Sequence, residues 1–137
     1  MTIAKHCILF SIGGFVYGAI EILYRGFTHP TMYIVGGLCF VLIGLINEVF
    51  SWDTPFLLQM FLSALLITTI EFVSGCIINI VYQMDVWDYS QLWGNILGQI
   101  AIPFMGMWFL LSAFAIVADD MLRFILFNES KPKYKLI

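Results

Sequence analysis

Three carboxylates interrupt apolar, helix-periodic stretches of this chain: Glu21, Glu48 and Glu71. A charged carboxylate in hydrocarbon costs about 2.5–3.5 kcal/mol on insertion scales, so each is a candidate for binding or proton chemistry. Glu71 is the most isolated, because residues 54–70 before it and 72–84 after it contain no Asp, Glu, Lys or Arg. An ionised group at that depth needs a partner to offset its desolvation. Two roles are open to it: a group that binds solute or relays a proton, or a polar residue that fixes helix register. Glu21 and Arg25 stand at i, i+4 in the favourable order for a helix pair. They suit a structural ion pair as well as a site. Glu48, close to the end of its stretch, can equally snorkel to an interface or join a site.

Amides and small residues accompany these carboxylates at helical spacing. Gly14, Tyr17, Gly18, Glu21 and Arg25 form one stripe, and Thr68, Glu71, Gly75, Asn79 and Tyr82 form another. Gly37, Gly44 and Glu48, with Asn47 adjacent, mark a third; Asn95, Gly98, Gln99 and Gly106 mark a fourth. Small residues let membrane helices approach closely, and Asn or Gln can hydrogen-bond between them. Packing is thus the expected role of the glycines, of Thr68 and of Asn47. Antiparallel helices would gather Glu21, Arg25, Glu71, Asn79, Asn95 and Gln99 at one end, with Asp88 in the connection above. That set is the expected solute- or ion-binding site, and no residue is assigned a catalytic role.

Metal and cofactor chemistry has little to work with. Cys7, Cys39 and Cys76 lie far apart in apolar stretches without Cys/His ligand spacing, and read as small hydrophobes in packed helices. His6 and His29 are expected on opposite sides of a membrane, so neither a metal nor a cofactor is anticipated. A net charge of −3 with few basic residues gives no nucleic-acid footprint.

The elements that must position these groups follow from composition. Hydrophobic residues make up 61% of the 137 and charged ones 11%, against about 25% charged in soluble domains. A small water-soluble fold cannot bury that much apolar surface, whereas a bilayer removes the conflict. Charge-free runs at 7–20, 30–47, 54–70 and 89–118 predict spans near 6–25, 31–50, 56–82 and 94–118. The first is read as a retained helix, since Glu21, Tyr24 and Arg25 follow it in place of a small-residue cleavage site.

The expected architecture is all-α: one polytopic membrane domain over 1–137, four transmembrane helices in an antiparallel bundle joined by short connections. Pro30 suits a helix start; Asp53 or Thr54 can cap the third helix with Pro55 at its first position. Pro103 can kink the fourth. Trp87, Tyr89 and Trp93 suit an interfacial aromatic belt. Lys5, Arg123, Lys131, Lys133 and Lys135 oppose a single Arg25, which places both termini in the cytoplasm of a plasma-membrane protein. Residues 119–137 are expected as an interfacial helix and a basic tail, with Asp120 and Arg123 a solvated i, i+3 pair.

The segment Ile70-Glu71-Phe72-Val73-Ser74-Gly75, followed by Trp87-Asp88-Tyr89-Ser90 and Asn95-Ile96-Leu97-Gly98-Gln99-Ile100, resembles the CmpB family. That family is described as a Putative ABC-transporter type IV, and includes a eukaryotic group of small transmembrane proteins. The likeness is strongest over residues 66–112 and includes Gly18 and Glu21 in the first helix. It implies a multi-pass helical membrane protein. The sequence has no G-x-x-x-x-G-K-[ST] loop, so the family label implies at most a membrane partner of a separate ATPase. Gly13 to Ala19 also echo the first helix of small fluoride channels, but Glu21 places an anion where an anion channel would not want one.

Three functions are therefore weighed. Small-solute or ion transport through an intramembrane carboxylate comes first, with a homodimer expected because four helices are few for a pathway. An assembly or regulatory subunit of a larger complex comes second, the buried polar groups then setting register. A lipid-modifying membrane enzyme using Glu71 with Asp88 or Glu21 comes third.

Overall fold

The structure, a computed structural model, describes residues 2–137, with the side chain of Asn47 outside the described residues. The fold is all-α: four α-helices and no β-strand among the described residues. Helix α1 spans Thr2–Arg25, α2 Pro30–Val49, α3 Phe56–Gly75 and α4 Ile102–Phe127. A π-helical stretch, Cys76–Val81, carries α3 onward without a break.

Local chemistry explains each boundary. Gly26, at φ +83°, ends α1 and sends its N–H to Ile22 O at 2.8 Å. His29 caps α2 by accepting Thr31 N–H at Nδ1 (3.2 Å), and Pro30 opens the helix as expected. Helix α3 differs from expectation. Pro55 occupies the cap position, neither Asp53 nor Thr54 caps, and the C-terminal tail supplies the missing acceptors. Phe56 N–H donates to Lys135 O at 2.6 Å and Leu57 N–H to Leu136 O at 3.3 Å. First-turn amides have no partner within their own helix, and the returning tail satisfies two of them.

The fourth element departs most from its expected 94–118. Residues 82–101 form an irregular connection, with Gln83, Asp85, Gly94, Leu97 and Gly98 all at positive φ. Helix α4 begins only at Ile102, so Pro103 lies in its first turn and does not kink it. The helix then runs unbroken to Phe127, which absorbs the separate interfacial helix expected after residue 118. A proline-started helix and two left-handed glycines lie inside one apolar run, where hydropathy alone cannot distinguish them from helix.

Helices α1 and α2 pack as a tight antiparallel hairpin through reciprocal glycine–aromatic contacts. Gly13 receives Phe40 and Gly14 receives Tyr33; in return Gly36 receives Tyr17 and Gly37 receives Phe10. A Cβ at any of the four would fall within 3 Å of ring atoms. The expected packing role of small residues thus holds on this pair. Helices α3 and α4 form a second hairpin, and α2 touches both of its members. Ile43, Met60 and Ile116 make the core where α2, α3 and α4 meet.

Polar side chains are common in the interior, and large apolar ones are common on the surface. Gln59, Ser63, Ser112 and Asp119 are wholly buried, while Phe15, Leu23, Leu110 and Phe114 are largely exposed. Among the described residues two helices are long and apolar enough to cross a membrane, Thr2–Arg25 and the continuous Phe56–Val81; Pro30–Ile46 is a shorter apolar stretch. An apolar exterior around an interior that mixes apolar and polar side chains fits lipid as the surrounding solvent.

Candidate carboxylate site between the helical hairpins

Helix α3 holds Glu71 in the interior, 6% exposed. Two side chains from beyond α3 reach its carboxyl. Tyr89, in the 82–101 connection, donates its hydroxyl to Oε2 at 3.2 Å. Trp108, on α4, donates its indole N–H to Oε1 at 3.4 Å. Both donors are neutral, and among the described residues no Lys or Arg pairs with Glu71. Tyr89 stacks on Phe104 with centroids 4.4 Å apart, and Tyr17 of α1 lies 6.1 Å from Trp108. Burial and the neighbouring Glu71 push the Tyr89 phenol upward, so it remains a donor throughout the neutral range.

Glu71, Tyr17 and Trp108 line a cavity of about 480 Å³ between the α1–α2 hairpin and α4. The rest of its wall is almost entirely aliphatic and aromatic, with Cys39 and Ser112 as the remaining polar side chains. Ser112 is turned away, its hydroxyl donating to Trp108 O at 2.6 Å. Chemically, this is one carboxyl at the rim of an apolar chamber of ligand size.

The other expected site residues divide into three groups. Glu21 and Arg25 form an ion pair, Oε2 to Nη2 at 2.5 Å, in which the guanidinium is at contact distance without hydrogen-bond alignment. Arg25 also donates through Nη1 to Val86 O at 2.8 Å and lies 4.5 Å over the Phe27 ring. That makes it a clamp from α1 onto the connection. Asn79 and Gln99 meet each other, Nδ2 to Oε1 at 2.8 Å, while Asn79 Oδ1 accepts Val86 N–H at 2.8 Å. Gln99 O also accepts the Trp87 indole N–H at 3.0 Å. These amides organise the connection that carries Tyr89.

Asn95 and Asp88 do not join Glu71. Asn95 donates to Leu92 O at 2.8 Å and accepts Gly98 N–H at 3.1 Å, all within the connection. Asp88 is exposed and accepts Ser90 N–H at 2.8 Å, which holds its carboxyl below the usual carboxylate range. It caps a turn inside the connection; the helix expected to start there starts later. Trp87 is buried at 7% and packs with Met32 and Val86, so of the expected interfacial anchors it is Trp93 that is exposed.

The opposite end of the molecule carries a second polar cluster. Arg123 pairs with Asp119 at i, i+4 (Nε to Oδ2, 2.7 Å) and also with Glu48, which in turn lies 3.5 Å from Lys5. Lys5 also reaches Glu129 at 3.0 Å. The expected solvated Asp120–Arg123 pair is replaced by buried Asp119–Arg123, and Asp120 accepts the Tyr134 hydroxyl at 2.7 Å. Glu48 thus belongs to an inter-helix network. A polar cavity of about 440 Å³ borders it. Asp119 was legible as an i, i+4 partner of Arg123; Tyr89 was not, since it read as an interfacial anchor, and Trp108 was not, since it meets Glu71 from another helix 37 residues on.

Residues 7–135, nearly the full chain, match the profile of the family described as Putative ABC-transporter type IV. No curated protein and no solved structure matches the chain. The segments around Glu71, Tyr89 and Gln99 that carry the sequence resemblance therefore coincide with the carboxylate site and its supporting connection, and the chain belongs to the Putative ABC-transporter type IV (CmpB) family.

Proposed function

We propose that this chain is the membrane-embedded component of a transport system, with Glu71 as the group that binds solute or relays a proton. The single observation behind this reading is a buried carboxyl held by two neutral donors at the edge of a cavity. An uncompensated buried carboxylate is costly for fold stability alone, and intramembrane ionisable residues mark solute and proton paths by default. In this reading the chain is one domain that crosses the plasma membrane four times as an antiparallel bundle, with both termini cytoplasmic. The excess of Lys and Arg at the Lys5 and Arg123 end supports that orientation. A homodimer completes the pathway, and a separate ATPase subunit supplies energy where the family's name implies it.

The test is proton release from the purified protein on addition of Na⁺, K⁺ or tetramethylammonium. Release that disappears in Glu71→Gln supports the reading. A folded wild type that releases nothing, together with a Glu71→Gln protein of unchanged melting temperature, removes it. A second reading, an assembly or regulatory subunit, is favoured by the mutual pairing of Asn79 and Gln99, which fixes the connection without any ligand. A partner protein copurifying at fixed ratio distinguishes it.

A further inference from the structure

We propose that the cavity between the α1–α2 hairpin and α4 takes a single-chain amphiphile with a cationic amine head, seated with its head on Glu71. The proposal rests on the reading of Glu71 as the binding group. Charge is the first ground. The two donors to Glu71 are neutral, and Arg25, the basic residue of that end, is committed to Glu21 and to Val86 O. A ligand that brings its own positive charge therefore supplies the counter-ion that the described residues do not. An anionic head would meet the same carboxyl unfavourably.

Aromatic placement is the second ground. Tyr17 and Trp108 line the cavity beside Glu71, their centroids 6.1 Å apart. Tyrosine and tryptophan faces next to a carboxylate recognise ammonium groups, quaternary ones included. A bare inorganic cation fares worse, since hard cations take about six or more oxygen ligands and the cavity wall offers very few.

Shape is the third. The wall follows α4 from Trp108 to Ile125. At 1.5 Å per residue that is about 25 Å of helix, so the space runs lengthwise beside Leu111, Phe114 and Leu122. A volume of about 480 Å³ in that form suits a chain more than a compact ring system. The titratable groups around Glu71 are Tyr17 and Glu21 from α1, Cys39 from α2 and Tyr89 from the connection, and Glu71 is the carboxyl that lines the cavity.

The experiment uses the full chain in phosphatidylcholine nanodiscs and calorimetric titration with octyltrimethylammonium, butyltrimethylammonium and octan-1-ol. Octyltrimethylammonium should bind wild type about tenfold tighter than octan-1-ol, and Glu71→Gln should lose that preference. Ala118→Phe, at an exposed position on the cavity wall, should weaken the octyl cation and spare the butyl one. It keeps the test decisive if Glu71→Gln fails to fold. Equal binding of octan-1-ol and the octyl cation, or a cation affinity untouched by Glu71→Gln, overturns the proposal. If both cations bind equally and both need Glu71, the amphiphile class fails and the binding role of Glu71 stands. If neither cation binding nor proton release depends on Glu71, both readings fall together.

Discussion

Tyr89 and Glu71 are 18 residues apart, on different elements, and meet through one hydrogen bond of 3.2 Å. That bond makes the irregular 82–101 connection part of the site. The connection holds its shape through Asn79, Gln99 and Arg25, each of which binds a backbone or side-chain group within it or beside it. Three of the polar residues that looked like ligands thus act one step back. They position the phenol that touches the carboxyl.

Removing that phenol hydroxyl should therefore be felt at Glu71. Tyr89→Phe is expected to lower stability by about 0.5–1.5 kcal/mol, the net range for an intramolecular hydrogen bond. In a Glu71→Ala background the same change should cost less than half as much, because the partner is gone. Thermal unfolding of the four proteins of this cycle provides the check. Equal costs in both backgrounds would show that the Tyr89 hydroxyl does not act through Glu71, since phenylalanine keeps the stacking on Phe104.

Glycines of the α1–α2 hairpin give a graded prediction. Gly13→Ala and Gly36→Ala each place a methyl against an aromatic ring, Phe40 and Tyr17 respectively. Overpacking of this kind costs about 1–3 kcal/mol. Gly106, on α4, has nothing within 4 Å of its would-be Cβ. Gly106→Ala should be neutral, or stabilising by up to about 1 kcal/mol through helix propensity. Melting temperatures in one detergent decide the matter: a Gly106 variant that melts below the Gly36 variant contradicts the packing described here.

The contrast between these elements shows what the sequence could reveal. Helices α1 to α3 and the proline start of α2 were readable because Pro30 and the charge-free runs each act locally; the cap of α3 was not, since its acceptors come from the distant C-terminal tail. Of the expected glycine stripes, Gly14 and Gly37 were readable because helical spacing maps onto a face, whereas Gly98 lies in the connection and Gly106 meets nothing within 4 Å. The connection was not, because residues 89–118 are uniformly uncharged and only backbone conformation separates 94–101 from the helix that follows. For the same reason Asn95 was placed on a helix face it does not occupy. Partners of Glu71 depend on tertiary contact over long separations, and Trp108 lies 37 residues away. No local pattern encodes that distance.

At the opposite end, the buried Asp119–Arg123 pair should be far more sensitive than its exposed neighbour. Asp119 is wholly buried and the Arg123 side chain 4% exposed, whereas Glu48 retains 38%. Breaking a buried pair from one side costs about 3–5 kcal/mol where the other charge is left without compensation; Arg123 keeps Glu48 as a second partner, so Asp119→Ala should fall near the lower end of that range. Glu48→Gln, at a solvent-screened position, should cost under about 1 kcal/mol. Replacing both members, as Asp119→Leu with Arg123→Met, should recover most of the loss of Asp119→Ala. Folded yield and melting temperature report each case, and an Asp119→Ala protein as stable as Glu48→Gln would refute the ranking.

The returning tail supplies the last prediction. Phe56 and Leu57 N–H, orphaned at the start of α3, donate to Lys135 and Leu136 carbonyls. Tyr134 anchors that tail by packing 5.0 Å from the Phe56 ring and donating to Asp120. Burial and the adjacent Asp120 push the Tyr134 phenol upward, so it stays a donor across neutral pH. Ending the chain after Ser130 removes both acceptors and the anchor. At about 1 kcal/mol per hydrogen bond, the loss should be near 2 kcal/mol, offset in part by water at the freed amides. Hydrogen exchange localises the effect: Phe56 and Leu57 amides should lose protection while those of α1 keep theirs. Tyr134→Ala should produce the same pattern in weaker form, because the tail is loosened but its carbonyls remain. Unchanged protection at Phe56 in the shortened chain would mean that the first turn of α3 is held by other means and that the tail merely rests against it.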